Sequence, residues 1–303
     1  MNWSDEEIIT TIYRLLNVKG FGVAQTNKLL WSFYKKINSS SQFESAISDA
    51  LQTEDAESFK TSYKLFRHDP YVCYVSVLDE NKYPNRLRDT LRQNTPTILS
   101  CIGNLELLHK KSVGFSGSRK VSDKGLWITR DCASQLSEKD ICIISGYASG
   151  VDLEAHKTAL EHGGSTIIVL PEGISSFHIR NELKSVWDWN RILVISEFKP
   201  EDRWLAARAM RRNQTIIGLS DAMLVIEAGE TGGSLDAGMR TINYGKSLFV
   251  PLYGEFPKSA LGNNELLRMG ANKLMRRRDN HTNIDMVLEC INGDDRKQQT
   301  LPF

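Results

Sequence analysis

The chain has 303 residues, a formal net charge of +1, 41% hydrophobic residues and 25% charged residues. This balance excludes a disordered or membrane-embedded protein, and it excludes nucleic-acid binding through a global cationic field, leaving only local basic patches for that purpose. The length is generous for one domain and sufficient for two.

Residues 1–7 are acidic and lack an apolar leader stretch, and no run of about 18 apolar residues occurs anywhere, so the expected location is the cytoplasm, with no membrane contact. The five cysteines, Cys73, Cys101, Cys132, Cys142 and Cys290, are odd in number, scattered and never spaced as C-x-x-C. That spacing argues against a disulfide framework and against a zinc site, and Cys132 and Cys142 fall in apolar-periodic segments as core residues do.

Residues 1–70 read as a small helical domain. Ser4 is placed to cap a first helix, with Glu7 returning a bond to the cap, and Ser41-Gln42-Phe43-Glu44 repeats the signal. Between them, Val18-Lys19-Gly20-Phe21-Gly22-Val23-Ala24 is a tight turn joining two helices. Its glycines either let a phosphate approach the backbone, with Lys19 and Lys28 nearby, or simply connect two packed helices.

Residues 71–280 read as an extended α/β domain with its core at 112–254. Tyr71–Leu78 is rich in β-branched and aromatic residues. Short, continuously apolar strands then recur at 113–116, 141–145, 165–170, 193–196, 223–227 and 248–252, separated by helix-length intervals. Such strands are buried on both faces, so the expected architecture is a doubly wound, Rossmann-like parallel sheet. Residues 281–303 are expected to supply a last helix near 284–291 and a disordered tail from Asp294.

Ligands of doubly wound sheets sit beyond the carboxyl ends of the strands, where helix N-termini and loop amides converge. Four small-residue loops fall on that edge: Ser116-Gly117-Ser118-Arg119-Lys120, Ser145-Gly146 through Gly150-Val151-Asp152, Leu170-Pro171-Glu172-Gly173, and Glu227 through Gly232-Gly233-Ser234. They predict a phosphate cradle. Neither G-x-G-x-x-G nor a complete P-loop is present, so a dinucleotide cofactor or ATP hydrolysis is not expected, and no cofactor is. The segment 203–214 adds Arg203, Arg208, Arg211 and Arg212 with no acid. Arg208, Arg211 and Arg212 have helical spacing and are expected to share a face beside Asn213, with Trp204 offering a ring to an unpaired base. Arg276, Arg277 and Arg278 either extend this track or form a solvated run. No catalytic triad or metal constellation emerges; His156 and His162 read as packing or capping residues.

The residues resemble the DNA-processing protein A (DprA/Smf) family. The collinear matches include Tyr83-Pro-Asn-Arg-Leu87, Gly117-Ser118-Arg119, Ser145-Gly146-x-Ala148-x-Gly150-Val-Asp152-x-x-Ala155-His156, Gly163-Gly164-x-Thr166 and Ser196-Glu197-Phe198. They continue through Arg212-Asn213, Gly233-Ser234-Leu235, Phe249-Val-Pro251 and Asn263-Asn264-x-Leu-Leu-x-x-Gly270-Ala271. The resemblance implies a non-enzymatic protein that binds single-stranded DNA and helps load the recombinase RecA during transformation, and it implies a homodimer formed through the Rossmann-like domain. It casts Arg119, Lys120, Arg211 and Arg212 as phosphate contacts, with Gly117, Ser145 and Gly150 supplying amides, and residues 1–70 as a sterile-alpha-motif-like extension. Where family members carry Phe-Pro before the Arg-Asn pair, this chain has Ala209 and Met210. The alternative is a nucleotide sensor or phosphoribohydrolase-like enzyme of the same superfamily, possessing the same cradle, with Asp236 or Glu227 touching a ribose.

Overall fold

The computed structural model describes residues 5–34, 36–37, 39–51, 53–61 and 70–298. Helix α1 (Glu6–Asn17) buries the stripe Ile8, Ile9, Ile12 and Leu15. Its N-cap is Asp5, whose side chain makes no capping bond, and Ser4 lies outside the described residues. The chain reverses through residues 18–22, with Gly20 at φ +88°, and enters α2 (Val23–Phe33). Helix α3 (Ser40–Ala50) starts before the predicted Ser41, because Ser39 is the cap and its Oγ accepts from the Gln42 amide. Helix α4 (Thr53–Thr61) completes the helical unit.

The sheet has nine strands in the order β1-β2-β6-β5-β4-β3-β7-β8-β9. In chain order the elements are β1 (Cys73–Ser76), α5 (Asn85–Leu91), β2 (Ile98–Gly103), β3 (Ser112–Ser116), α6 (Asp123–Ser137), β4 (Cys142–Ser145), α7 (Val151–Glu161), β5 (Thr166–Val169) and β6 (Ile192–Ser196). They continue with α8 (Ala206–Leu219), β7 (Ala222–Val225), α9 (Gly233–Asn243), β8 (Ser247–Pro251), α10 (Leu261–Arg268), β9 (Asn272–Leu274) and α11 (Asp285–Gln298). Strands β3 to β9 are mutually parallel, as their apolar runs require; β4, β5, β6 and β7 have every residue buried. Strands β1 and β2 extend the sheet in antiparallel fashion from β6.

Two apolar layers enclose the sheet. One runs from Ile12 and Leu30 of the N-terminal helices through Leu87 of α5, Ile216 of α8 and Leu266 of α10. The helical unit therefore shares its core with the sheet. The other layer packs Ile128 and Cys132 of α6, Ala155 of α7 and Val287 of α11 against the opposite face.

Two expectations need correction. The stretch between β5 and β6 holds only 3-10 turns at Ile174–Ser176 and Asn181–Val186, because aromatic packing of Phe177, Trp187 and Trp189 covers the sheet where a crossover helix would lie. At the other end, α11 runs through Gln298, well past Asp294.

A buried asparagine joins the hairpin to the sheet domain. Asn27 Nδ2 donates to the carbonyls of Gln93 (3.3 Å) and Thr95 (2.7 Å), and its Oδ1 accepts from Thr97 Oγ1 at 2.9 Å. Asn27→Ala is expected to cost about 2–4 kcal/mol in urea denaturation, since it leaves buried partners on Thr95 and Thr97 unpaired.

A second seam ties the C-terminal turn to α6: Asp131 accepts from His281 Nδ1 at 2.6 Å and from the Thr282 amide at 2.5 Å. The Asp131 carboxylate raises the His281 pKa above its ordinary value. Its contribution to stability is therefore complete below the unfolded pKa of about 6.5 and is lost as pH rises through the folded one. Amide exchange in residues 275–283 should accelerate, beyond the intrinsic base-catalysed rate, as pH passes that point, and His281→Gln should abolish this extra step.

Candidate functional site

The strand order reverses at β3: the chain builds β4, β5 and β6 on one side, then returns to place β7, β8 and β9 on the other. A switch point of this kind leaves a crevice beyond the strand ends. Here the crevice is a cleft of about 460 Å³. It is lined by Gly117, Ser118 and Arg119 after β3, by Ala148 and Asp152 around the start of α7, and by Trp204, Ala206, Ala209, Met210, Arg212 and Asn213 on and before α8. Gly229, Thr231, Gly233 and Ser234 after β7, and Ser259 after β8, complete it.

Three helices begin at this cleft without a side-chain cap: α7 after Gly150, α8 after Leu205 and α9 after Gly232. Helix α6 shows the contrast, since Ser122 Oγ accepts from the Gly125 amide and donates to Glu227. At α7 the Val151 and Leu153 amides already donate to the Ser118 and Ala148 carbonyls, so it is the starts of α8 and α9 that add positive potential where an anion would sit.

The floor of the cleft is Arg212, only 6% exposed. Its Nη1 donates to the Val169 carbonyl at 2.8 Å, and its Nε is buried without a partner among the described residues. Burial lowers the Arg212 pKa, which Asp152 opposes; burial likewise raises that of Asp152, which Arg212 opposes. The guanidinium fits because residue 146 is glycine: an added Cβ would stand 1.8 Å from Nη1. His156 holds that peptide in place, with Nε2 2.6 Å from the Gly146 carbonyl and Nδ1 2.6 Å from Thr166 Oγ1. Burial drives the His156 pKa down to about 4, so the ring is neutral and carries its proton on Nε2, where it donates to the Gly146 carbonyl.

Several expected site residues therefore have different roles. Ser145 is buried and its Oγ donates to the Phe115 carbonyl, tying two strands together. Gly146 is buried beneath Arg212, and Gly117 and Gly150 let neighbouring backbone pack closely: a Cβ on Gly117 would lie 2.4 Å from Val151 Cγ2, and one on Gly150, at φ +82°, 2.3 Å from the Ser118 carbonyl. Gly232, at φ +108°, has open space around it.

Arg208, Arg211 and Arg212 do not form one solvent face. Arg208 Nη2 pairs with Asp202 at 2.8 Å, Arg211 Nε pairs with Glu197 at 2.8 Å while Nη2 reaches the Asn94 carbonyl, and Arg212 turns inward. Near the cleft, Arg119, Lys120 and Arg203 are exposed and make no ion pair among the described residues. Trp204 is 48% exposed and lines the cleft as the stacking reading requires. Arg276 instead lies over Trp127 in a separate groove, and Arg277 pairs with Asp279 and Asp285.

The carboxylates considered for ribose contact are engaged elsewhere: Asp236 with Arg240 at 2.6 Å, Glu227 with Ser122 and the Tyr253 hydroxyl. Asp152 is the one carboxylate among the described lining residues. A larger cleft of about 770 Å³ lies at the amino edge of β3 and β7, but Arg86 and Lys246 there are already held by Asp221 and the Ser220 carbonyl. The sequence gives no signal for Ser259, which chain folding alone brings to the cleft beside the Thr231 loop.

The fold and the cleft define a Rossmann-like α/β protein with a cleft at the carboxyl edge of its parallel strands. The family model described as DNA recombination-mediator protein A matches residues 74–285, and the chain belongs to that family. It is 34% identical over 176 residues to the DNA processing protein DprA of Streptococcus pneumoniae, a match spanning 58% of this chain and 61% of the relative. It is also 34% identical over 175 residues to Protein Smf of Escherichia coli, spanning 57% of this chain and 46% of that protein. The matched stretch thus covers less than two thirds of these relatives. Among solved structures, DprA from Streptococcus pneumoniae superposes with a TM-score of 0.61 at 25% identity, covering 90% of both chains. DNA processing protein A from Helicobacter pylori, whose structure describes its single-stranded DNA binding mode, gives 0.58 at 26% identity, covering 74% of this chain and 96% of that one.

The depressed pKa of His156 gives a signed prediction. Its stabilising effect is present above about pH 6.5 and is lost as pH falls toward about 4. Wild type should lose up to about 3 kcal/mol through this group across that window, measurable as the pH dependence of urea midpoints, and His156→Asn should show a shallower acid slope.

Proposed function

We propose that the cleft at the strand ends binds the sugar-phosphate backbone of single-stranded DNA. The carrying observation is Arg212, a buried guanidinium bordering the cleft with an unpartnered Nε, below exposed Arg119 and Lys120. A buried charged donor left unpaired is costly, and an anion on the floor relieves that cost. The N-termini of α8 and α9, which have no side-chain cap, add to the same attraction. Trp204 supplies a π-face for a base, which favours an unpaired strand over a duplex whose bases are already stacked. The superposition on the Helicobacter pylori protein supports the same ligand class.

We further assign the chain a mediator role in the cytoplasm, without catalysis, in which it passes bound strand to the recombinase RecA and acts as a homodimer. The family description as a recombination mediator supports the recombinase part of this reading. The direct contacts to DNA are assigned to Arg119, Lys120, Arg212, Trp204 and the amides of residues 232–234; Arg208 and Arg211 shape the rim through Asp202 and Glu197.

Arg119→Ala with Lys120→Ala is expected to weaken binding of oligo-dT about tenfold and to reduce the slope of log K against log salt by about 1.4, the share of two single-strand phosphate contacts. Fluorescence anisotropy at several salt concentrations checks this. Equal binding of wild type and double variant, or tighter binding of a mononucleotide than of the oligonucleotide, would overturn the assignment.

A further inference from the structure

The N-terminal hairpin carries a charge pattern that the cleft does not use. From Ile8 to Phe43 the sequence contains no acid, while it holds Arg14, Lys19, Lys28, Lys35 and Lys36. In a chain of net charge +1 such segregation builds a local positive field. A second acid-free stretch, residues 203–220, contains Arg203, Arg208, Arg211 and Arg212 at the cleft. Folding brings the two together across one short turn. Asn27 of the hairpin binds the carbonyls of Gln93 and Thr95, and Arg211 of α8 binds the intervening Asn94 carbonyl. At the hairpin's other end, Lys199 Nζ, on the loop leading into α8, donates to Asn17 Oδ1 at 2.5 Å.

The surface along this seam is mostly cationic and carries the paired rings of Trp31 and Tyr34, their centroids 5.0 Å apart. Lys19, Lys28 and Arg92 are exposed and make no ion pair among the described residues. Trp31 is 40% exposed beside them on α2, with the Arg88 guanidinium over its ring. Of the nearby acids, Glu44 is neutralised by Arg14 at 2.7 Å, and Glu80 is engaged by the Tyr34 hydroxyl. Exposed Gly20 has nothing within 4 Å of where a side chain would begin, so a backbone phosphate meets no obstruction there.

We infer that the hairpin and the turn at residues 92–94 form a second contact surface for the same single strand, which leaves the cleft past Arg211 and continues over Arg92, Lys28, Trp31 and Lys19. Interleaved cations and an exposed ring continuous with an anion cleft suit a flexible strand, which can bend over the seam as a duplex cannot. This inference rests on the cleft reading and extends it from a subsite to a track.

The test compares oligo-dT of about 6 nucleotides, enough for the cleft, with about 20, enough for the track. Both are titrated by anisotropy against wild type, the exposed-residue variant Lys19→Glu/Lys28→Glu/Arg92→Glu, and the milder Lys19→Gln/Lys28→Gln/Arg92→Gln, with circular dichroism as the folding check. The expected result is about tenfold weaker 20-mer binding by the reversal variant, with a salt slope lower by about 2 for three lost phosphate contacts, and unchanged 6-mer binding. The glutamine variant should lower the slope in the same direction. The inference is overturned if wild type binds the 20-mer no tighter than the 6-mer, if the glutamine variant keeps the wild-type 20-mer affinity and slope, or if 6-mer binding falls in parallel. Wild type binding neither length would remove the cleft reading and the track with it.

Discussion

A single buried guanidinium organises the cleft. Arg212 reaches in from α8, closes on the end of β5 through the Val169 carbonyl and occupies space that exists only because residue 146 lacks a side chain. Around it, His156 stays neutral to hold the Gly146 peptide, and Asp152 supplies a partial counter-charge without an ion pair short enough to satisfy it. The surrounding loops inherit their positions from this cluster. A charge so placed is poorly compensated by the protein alone, which is the physical reason for proposing an anion as the ligand of this cleft.

The second organising feature is segregation of charge at near-zero net charge. Where acids are available near α8, they are used to pin Arg208 and Arg211 at the rim, which removes those cations from the ligand and shapes the wall instead. Arg119 lines the cleft, and it and the adjacent exposed Lys120 make no ion pair among the described residues. The hairpin does not float beside this arrangement: its core is continuous with that of the sheet, and Asn27 and Asn17 fix its acid-free surface against the loops that build the cleft.

The main architecture was legible in the sequence because strands buried on both faces must be continuously apolar. Ile141–Ser145, Met223–Glu227 and Leu248–Leu252 could hardly be anything else in this spacing. Strands β2 and β9 were less visible: β2 mixes Ser100 and Cys101 into an antiparallel edge extension, and β9 has three residues. The missing helix between β5 and β6 was invisible because Trp187 and Trp189 look like ordinary core aromatics until their packing on Phe177 is seen.

What the sequence determined by itself was the parallel sheet, the edge on which ligands gather and the residue types on that edge, since these follow from periodicity and loop position along one chain. What the tertiary structure alone decided was the assignment of each side chain. Helical spacing placed Arg208, Arg211 and Arg212 near one another but carried no information on what each would meet, and the fold gave two of them carboxylates and buried the third. The glycines divide the same way: Gly232 has open space about it, whereas Gly117, Gly146 and Gly150 answer to Val151, Arg212 and Ser118, neighbours brought close by packing rather than by sequence.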